Sequence, residues 1–150
     1  MSTAKLNLSE RGFTVVELLT VLALAAIILG LALPRYSGLL SDLRLQSATA
    51  ELIRDLRGAQ SLAVARGTRV SVVIGERGYV IRRPGSEQRR VSLPRGITLA
   101  AVNSTRLIWF SATGASSGGF ITLRGSTGAT TVIVAAARGL AYAVPGAVRP

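Results

Sequence analysis

The chain has 150 residues, a net charge of +11, and neither cysteine nor histidine. Disulfide frameworks and thiolate metal sites are thereby excluded, and the commonest general base and metal ligand is missing. Seven acidic residues (Glu10, Glu17, Asp42, Glu51, Asp55, Glu76 and Glu87) are scattered without an oxygen-rich calcium loop, and Ser111, Ser116 and Ser117 have no evident base beside them, so no enzyme, metal site or cofactor is expected.

Residues 1–12 form a short polar leader ending in Arg11-Gly12. An apolar run of 21 residues follows, 13–33, with Glu17 as its only ionisable side chain. At about 1.5 Å per residue this run spans roughly 30 Å, one bilayer core. An ordinary transmembrane anchor or a secretory signal are the plain readings, and Ala23-Leu24-Ala25 offers a small-x-small cleavage site. A secretory h-region is usually only about 7–15 residues, however. Neither plain reading accounts for Glu17, since a carboxylate within a span costs at least about 2.5–3.5 kcal/mol and calls for a partner. A new α-amino group is the simplest one. Cleavage between Gly12 and Phe13 puts the Phe13 amine at the depth of a neighbouring subunit's Glu17, which neutralises both charges and sets register. Lys5 and Arg11 precede the run. The positive-inside rule therefore places the leader in the cytoplasm and residues 35–150 across the membrane.

Gly30 within the run and Pro34 just after it interrupt helix chemistry, and the proline is expected to end, kink or locally open a helix. The pattern beyond argues for continuation. Leu45, Ala48, Leu52, Leu56, Ala59 and Ala63 recur at helical spacing, while Arg44, Glu51, Arg54, Asp55 and Arg57 fall mostly elsewhere. One helix from about 13 to 66 is predicted, apolar in its first half, amphipathic in its second, and capped by Gly67.

Everything after Gly67 reads as strands and turns. Thr68–Ile74 and Tyr79–Arg83 flank Gly75-Glu76-Arg77-Gly78, a hairpin signal. Val91–Leu93 and Ile97–Ala101 flank Pro94-Arg95-Gly96. Arg106–Phe110, Phe120–Arg124, Thr131–Ala137 and Leu140–Val144 follow, the last two joined through Arg138-Gly139. The predicted fold class is α+β, a long N-terminal helix packed on a C-terminal antiparallel β-sheet head. The Gly/Ser-rich loop 111–119 is read either as an exposed, flexible contact surface or as an inert connector.

The Gly12-Phe13 step, Glu17 five residues into the run, and Pro34 one span later together resemble the class III signal of type IV pilins and type II secretion pseudopilins. That resemblance implies cleavage after Gly12 and methylation of the Phe13 amine by a prepilin peptidase. Downstream, Trp109-Phe110-Ser111-Ala112-Thr113-Gly114, Ser117-Gly118-Gly119-Phe120-Ile121-Thr122-Leu123 and Thr131-Val132-Ile133-Val134 look like the β-rich head of GspH/FimT-type minor pseudopilins. The family organisation implies a cleaved leader (1–12), a transmembrane and assembly helix (13–34) and a periplasmic head (35–150). Its implied partners are a major pseudopilin, other minor pseudopilins, the peptidase, an inner-membrane assembly platform and secreted substrates.

Arg82, Arg83, Arg89, Arg90 and Arg95 gather within fourteen residues. They read either as a solvated run protecting a sheet edge or as a phosphate-contacting patch. No aromatic residue interleaves with them, so stacking on single strands is weakly supported. One branch of the resembled family binds DNA through a glycine-arginine-x-arginine turn. The matching place here, Gly139-Leu140-Ala141-Tyr142, lacks both arginines, and Arg138 precedes the glycine instead. The resemblance therefore favours a secretion apparatus, with a DNA-binding minor pilin as the alternative.

Overall fold

The computed structural model describes residues 13–83, 85, 88–102 and 105–147, with the side chains of 31–37 and 101 outside the description. The predicted leader, Gly12 included, lies outside the described residues, as does the Pro34 side chain. The chain divides into two units, residues 1–37 and 38–150.

The helix α1 runs from Val15 to Arg66, through Gly30 and Pro34. Its start lies two residues beyond the predicted one, because Thr14 acts as the N-cap. The Thr14 side-chain oxygen accepts from the Glu17 amide at 3.2 Å, and its carbonyl accepts from the Leu18 amide at 3.1 Å. Its end is closed by Gly67, whose positive φ of 61° lets Gly67 N–H reach the Val64 carbonyl and Thr68 N–H reach the Ala63 carbonyl. That pair of bonds is a Schellman cap, which glycine adopts without the steric cost of a Cβ.

Eight strands follow: β1 (Val70–Ile74), β2 (Gly78–Arg82), β3 (Arg89–Ser92), β4 (Thr98–Val102), β5 (Leu107–Phe110), β6 (Gly119–Arg124), β7 (Ala129–Val134) and β8 (Ala141–Pro145). They form two antiparallel four-stranded sheets rather than one, ordered β3-β2-β1-β5 and β4-β6-β7-β8. The expected hairpins β1–β2 and β7–β8 are present. The pair flanking Pro94-Arg95-Gly96 is not a hairpin. Ile97 N–H closes a turn on the Pro94 carbonyl, Gly96 takes a φ of 85°, and Ile97 is buried. The chain is thus redirected, and β4 pairs with β6 in the second sheet, with a register shift between Leu99 and Ala101.

One core serves the helix and both sheets. All six residues of the predicted helix face, Leu45 to Ala63, are buried. They join Val70, Val72, Ile74, Ile108 and Phe110 from the first sheet, and Ile121, Leu123, Val132 and Val134 from the second. Full burial of each large apolar side chain contributes about 1.5–3 kcal/mol. Alternation decides the faces, as in β1, where Val70, Val72 and Ile74 point inward and Ser71 and Val73 outward.

Candidate functional site

In the N-terminal unit the described helix surface is apolar on every side. Val15, Val16, Leu18, Leu19, Leu22 and Ile28 are all more than half exposed, and Phe13 is 78% exposed. A helix that is hydrophobic all round belongs in lipid or among other helices. Glu17 is the one ionisable side chain among residues 13–30, and it is exposed within the first turn. There its carboxylate is favoured by the helix dipole. Thr14-Val15-Val16-Glu17 is also a capping-box sequence, a signal that the emphasis on Glu17 alone passed over. Among the described residues no helix is long and apolar enough to cross a membrane. The apolar helix whose side chains are described ends at Gly30.

In the C-terminal unit the strand pleat separates the sequence-adjacent arginines. Register pairs Ile81 with Arg89 and Val80 with Arg90. Ile81 faces the core, so Arg89 shares its side and places Nη2 3.4 Å from Asp55 Oδ1. Arg83, two residues beyond Ile81, lies on that same side and lines a cavity with Asp55 and Arg89. Arg82 and Arg90 project to the opposite face and are exposed. On that face Arg90 and Arg77 border a depression of about 340 Å³ floored by Val73, Val80 and Val91. Arg95 is exposed in the β3–β4 turn. Arg138 is exposed in the β7–β8 turn, apart from the others in sequence and on the other sheet. β3 is the outer strand of its sheet, so Arg89 and Arg90 stand on an edge.

Asp55 is 6% exposed yet satisfied. Its Oδ2 accepts from the Tyr79 hydroxyl at 2.7 Å, and its Oδ1 faces Arg89. Burial, then the bond to Asp55, then the charges of Asp55 and Glu51 push the Tyr79 phenol well above its ordinary value. This triad was not foreseen. Its signal is the parity of Tyr79 with Ile81, which puts the phenol on the core side.

The 111–119 loop is not a loose connector. Gln60 Nε2 donates to the Gly114 carbonyl at 2.8 Å and to the Arg138 carbonyl at 2.7 Å. Ser116 is buried, its amide donates to the Ala136 carbonyl, and its hydroxyl donates to the Ala135 carbonyl at 3.0 Å. These bonds anchor the loop at Gly114 and Ser116, while Ala112, Thr113 and Ser117 stay exposed. Gly114 and Gly139 both have positive φ, and a Cβ at Gly139 would lie 2.5 Å from Gln60 Nε2 and from the Gly114 carbonyl oxygen. Nearby, the Arg69 guanidinium sits 4.6 Å from the centre of the Trp109 ring.

Among the described residues no cluster of three His, Cys, Asp or Glu residues could hold a metal ion. The family model described as type II transport protein GspH matches residues 48–138. The chain belongs to the GspH family. The model of the prokaryotic N-terminal methylation motif matches residues 7–33, so a pilin-like N-terminus and a GspH head stand in one chain. Two crystal structures of the type IV minor pilin FimU of Pseudomonas aeruginosa share the fold. Each is 20% identical, with TM-scores of 0.54 and 0.52, and each match covers 67% of this chain and 88% and 93% of those chains. No curated protein sequence matches. The GspH match starts at Ala48 on the buried helix face and ends at Arg138, so it takes in the Asp55–Tyr79–Arg89 triad and the Gln60 bonds.

Proposed function

We propose that this GspH-family chain is a structural minor pseudopilin of a type II secretion system, built in at or near the tip of the periplasmic pseudopilus to help drive protein export. The exposed apolar segment from Phe13 to Leu29, helical from Val15 and with Glu17 as its one charge, carries the reading. Such a surface is stable only when covered by lipid or by like helices. The helix starts as a single-pass inner-membrane anchor with the 35–150 head in the periplasm. A prepilin peptidase cuts between Gly12 and Phe13 and methylates the new amine. Glu17 then pairs with the Phe13 amine of the adjacent subunit, and Pro34 marks the membrane boundary. The neighbours are the major pseudopilin and other minor pseudopilins, raised by the inner-membrane platform, with secreted proteins met at the tip. No catalysis is assigned to the head.

Cross-linking from the N-terminal helix in native cells, followed by identification of the attached subunit, tests this. Attachment to a major pseudopilin supports it, and attachment to a major type IV pilin refutes the secretion assignment. A second reading rests on Arg77, Arg82 and Arg90, which are exposed on the outer face of the first sheet: a FimT-like minor type IV pilin that captures DNA. It requires DNA affinity that falls steeply with salt and drops on neutralising Arg82 and Arg90.

A further inference from the structure

Between α1 and the β2–β3 edge lies a cavity of about 230 Å³, lined by Asp55, Gly58, Ala59, Leu62, Ile81, Arg83 and Arg89. Three observations set it apart from a packing gap. The Nε of Arg83 is buried without a hydrogen-bond partner among the described residues, and a buried donor left unsatisfied is costly. Second, among the described lining residues Asp55 is the one carboxylate, and its Oδ2 accepts from Tyr79 while its Oδ1 faces Arg89, so two guanidinium groups stand against one carboxylate that is already engaged. Third, Gly58 stands in the middle of a helix, where glycine is disfavoured, yet a Cβ built there meets nothing within 4 Å. Packing within the chain therefore does not require this glycine. It leaves the cavity mouth open.

We propose that this cavity is a binding site for a carboxylate on a short aliphatic stem, the side chain of a glutamate or aspartate on a partner polypeptide. Arg83 Nε and the Arg89 guanidinium donate to the carboxylate, as charge-assisted bonds to arginine favour. The stem lies over Ala59, Leu62 and Ile81. The cationic chain, with 18 basic residues against seven acidic, suits an acidic partner. That the partner is a neighbouring subunit rests on the pseudopilin reading; the carboxylate site itself does not.

The first test uses the full chain in detergent micelles, with glutarate as probe and the Arg83 Nε–H resonance as readout. A saturable shift is expected, with no such shift from equal ionic strength of sodium chloride. Gly58→Leu should fill the mouth and weaken binding at least about tenfold without lowering the melting temperature; Arg83→Gln, read at the Arg89 Nε–H resonance of the same cavity, should lose the saturable shift. The absence of a saturable shift, or an unchanged shift in Gly58→Leu, overturns the site. A second arm places a photo-cross-linker at exposed Ser61 in native cells. Loss of its protein adduct in Gly58→Leu supports a polypeptide occupant. An unchanged adduct, with glutarate binding lost, overturns the polypeptide and leaves a free small carboxylate. Cross-linking from the N-terminal helix reads the pseudopilin assignment separately, so the two can fail independently.

Discussion

The Tyr79 hydroxyl donates to Asp55 Oδ2 at 2.7 Å, joining β2 to the buried face of α1. Desolvation, reinforced by this bond, raises the phenol above its ordinary 10.0, so the unfolded chain releases the proton first. The contribution is complete below about pH 10 and is lost as pH climbs beyond it. Tyr79→Phe should cost about 1–2 kcal/mol at neutral pH, because Asp55 loses a donor. Its unfolding free energy should also decline less steeply above pH 10 than that of the wild type. Denaturant melts across that range check both, and parallel curves would remove Tyr79 as the cause.

Gln60 ties two turns to the helix through one amide nitrogen. Gln60→Ala should cost about 1–2 kcal/mol and speed hydrogen exchange at the Gly114 and Gly139 amides, leaving Val72 in the core protected. Equal protection of those turns in the variant would show that the bonds of Ser111 to the Ala115 carbonyl and of Ser116 to the Ala135 and Ala136 carbonyls suffice.

Gly139→Ala meets both an unfavourable φ and a close backbone oxygen at Gly114. The expected loss is about 1–3 kcal/mol. Adding Gln60→Ala should not restore stability, because the Gly114 carbonyl contact persists. Thermal melts of the single and double variants decide this.

Glu17→Ala should leave processing at Gly12-Phe13 intact, readable as the mass of the mature N-terminus, while lowering recovery of the protein in assembled fibres several-fold. The basis is the cost of an unpaired ionisable group among apolar helices. Normal incorporation of the variant contradicts the pairing.

The helix was legible because its signals are local. The spacing from Leu45 to Ala63 and the glycine at 67 marked its buried face and its end. Strand positions were legible too, from apolar stretches set off by Gly75, Gly78 and Gly139. Sheet membership was not, because partners such as Val73 and Leu107 are far apart in sequence and no local pattern encodes the choice. The arginine group misled for a related reason. Neighbours along a strand point to opposite faces, so Arg89 and Arg90 part company once Ile81 is known to face inward. The Gln60 bonds left no trace in the pattern, since a half-buried glutamine on a helix looks like any solvated residue until the turns it reaches are placed.

The crossing of strands between sheets has a consequence for the proposed delivery of the head across a membrane. β1 can pair with β2 as soon as both emerge, but its other flank is filled only by β5, which follows β4, a strand of the second sheet whose partner β6 comes later still. A head threaded through a translocation pore amino end first therefore holds an open β1 edge until residue 110 is through. During that interval the strand is a ready template for stray pairing, and a chaperone on the far side would have most to do there.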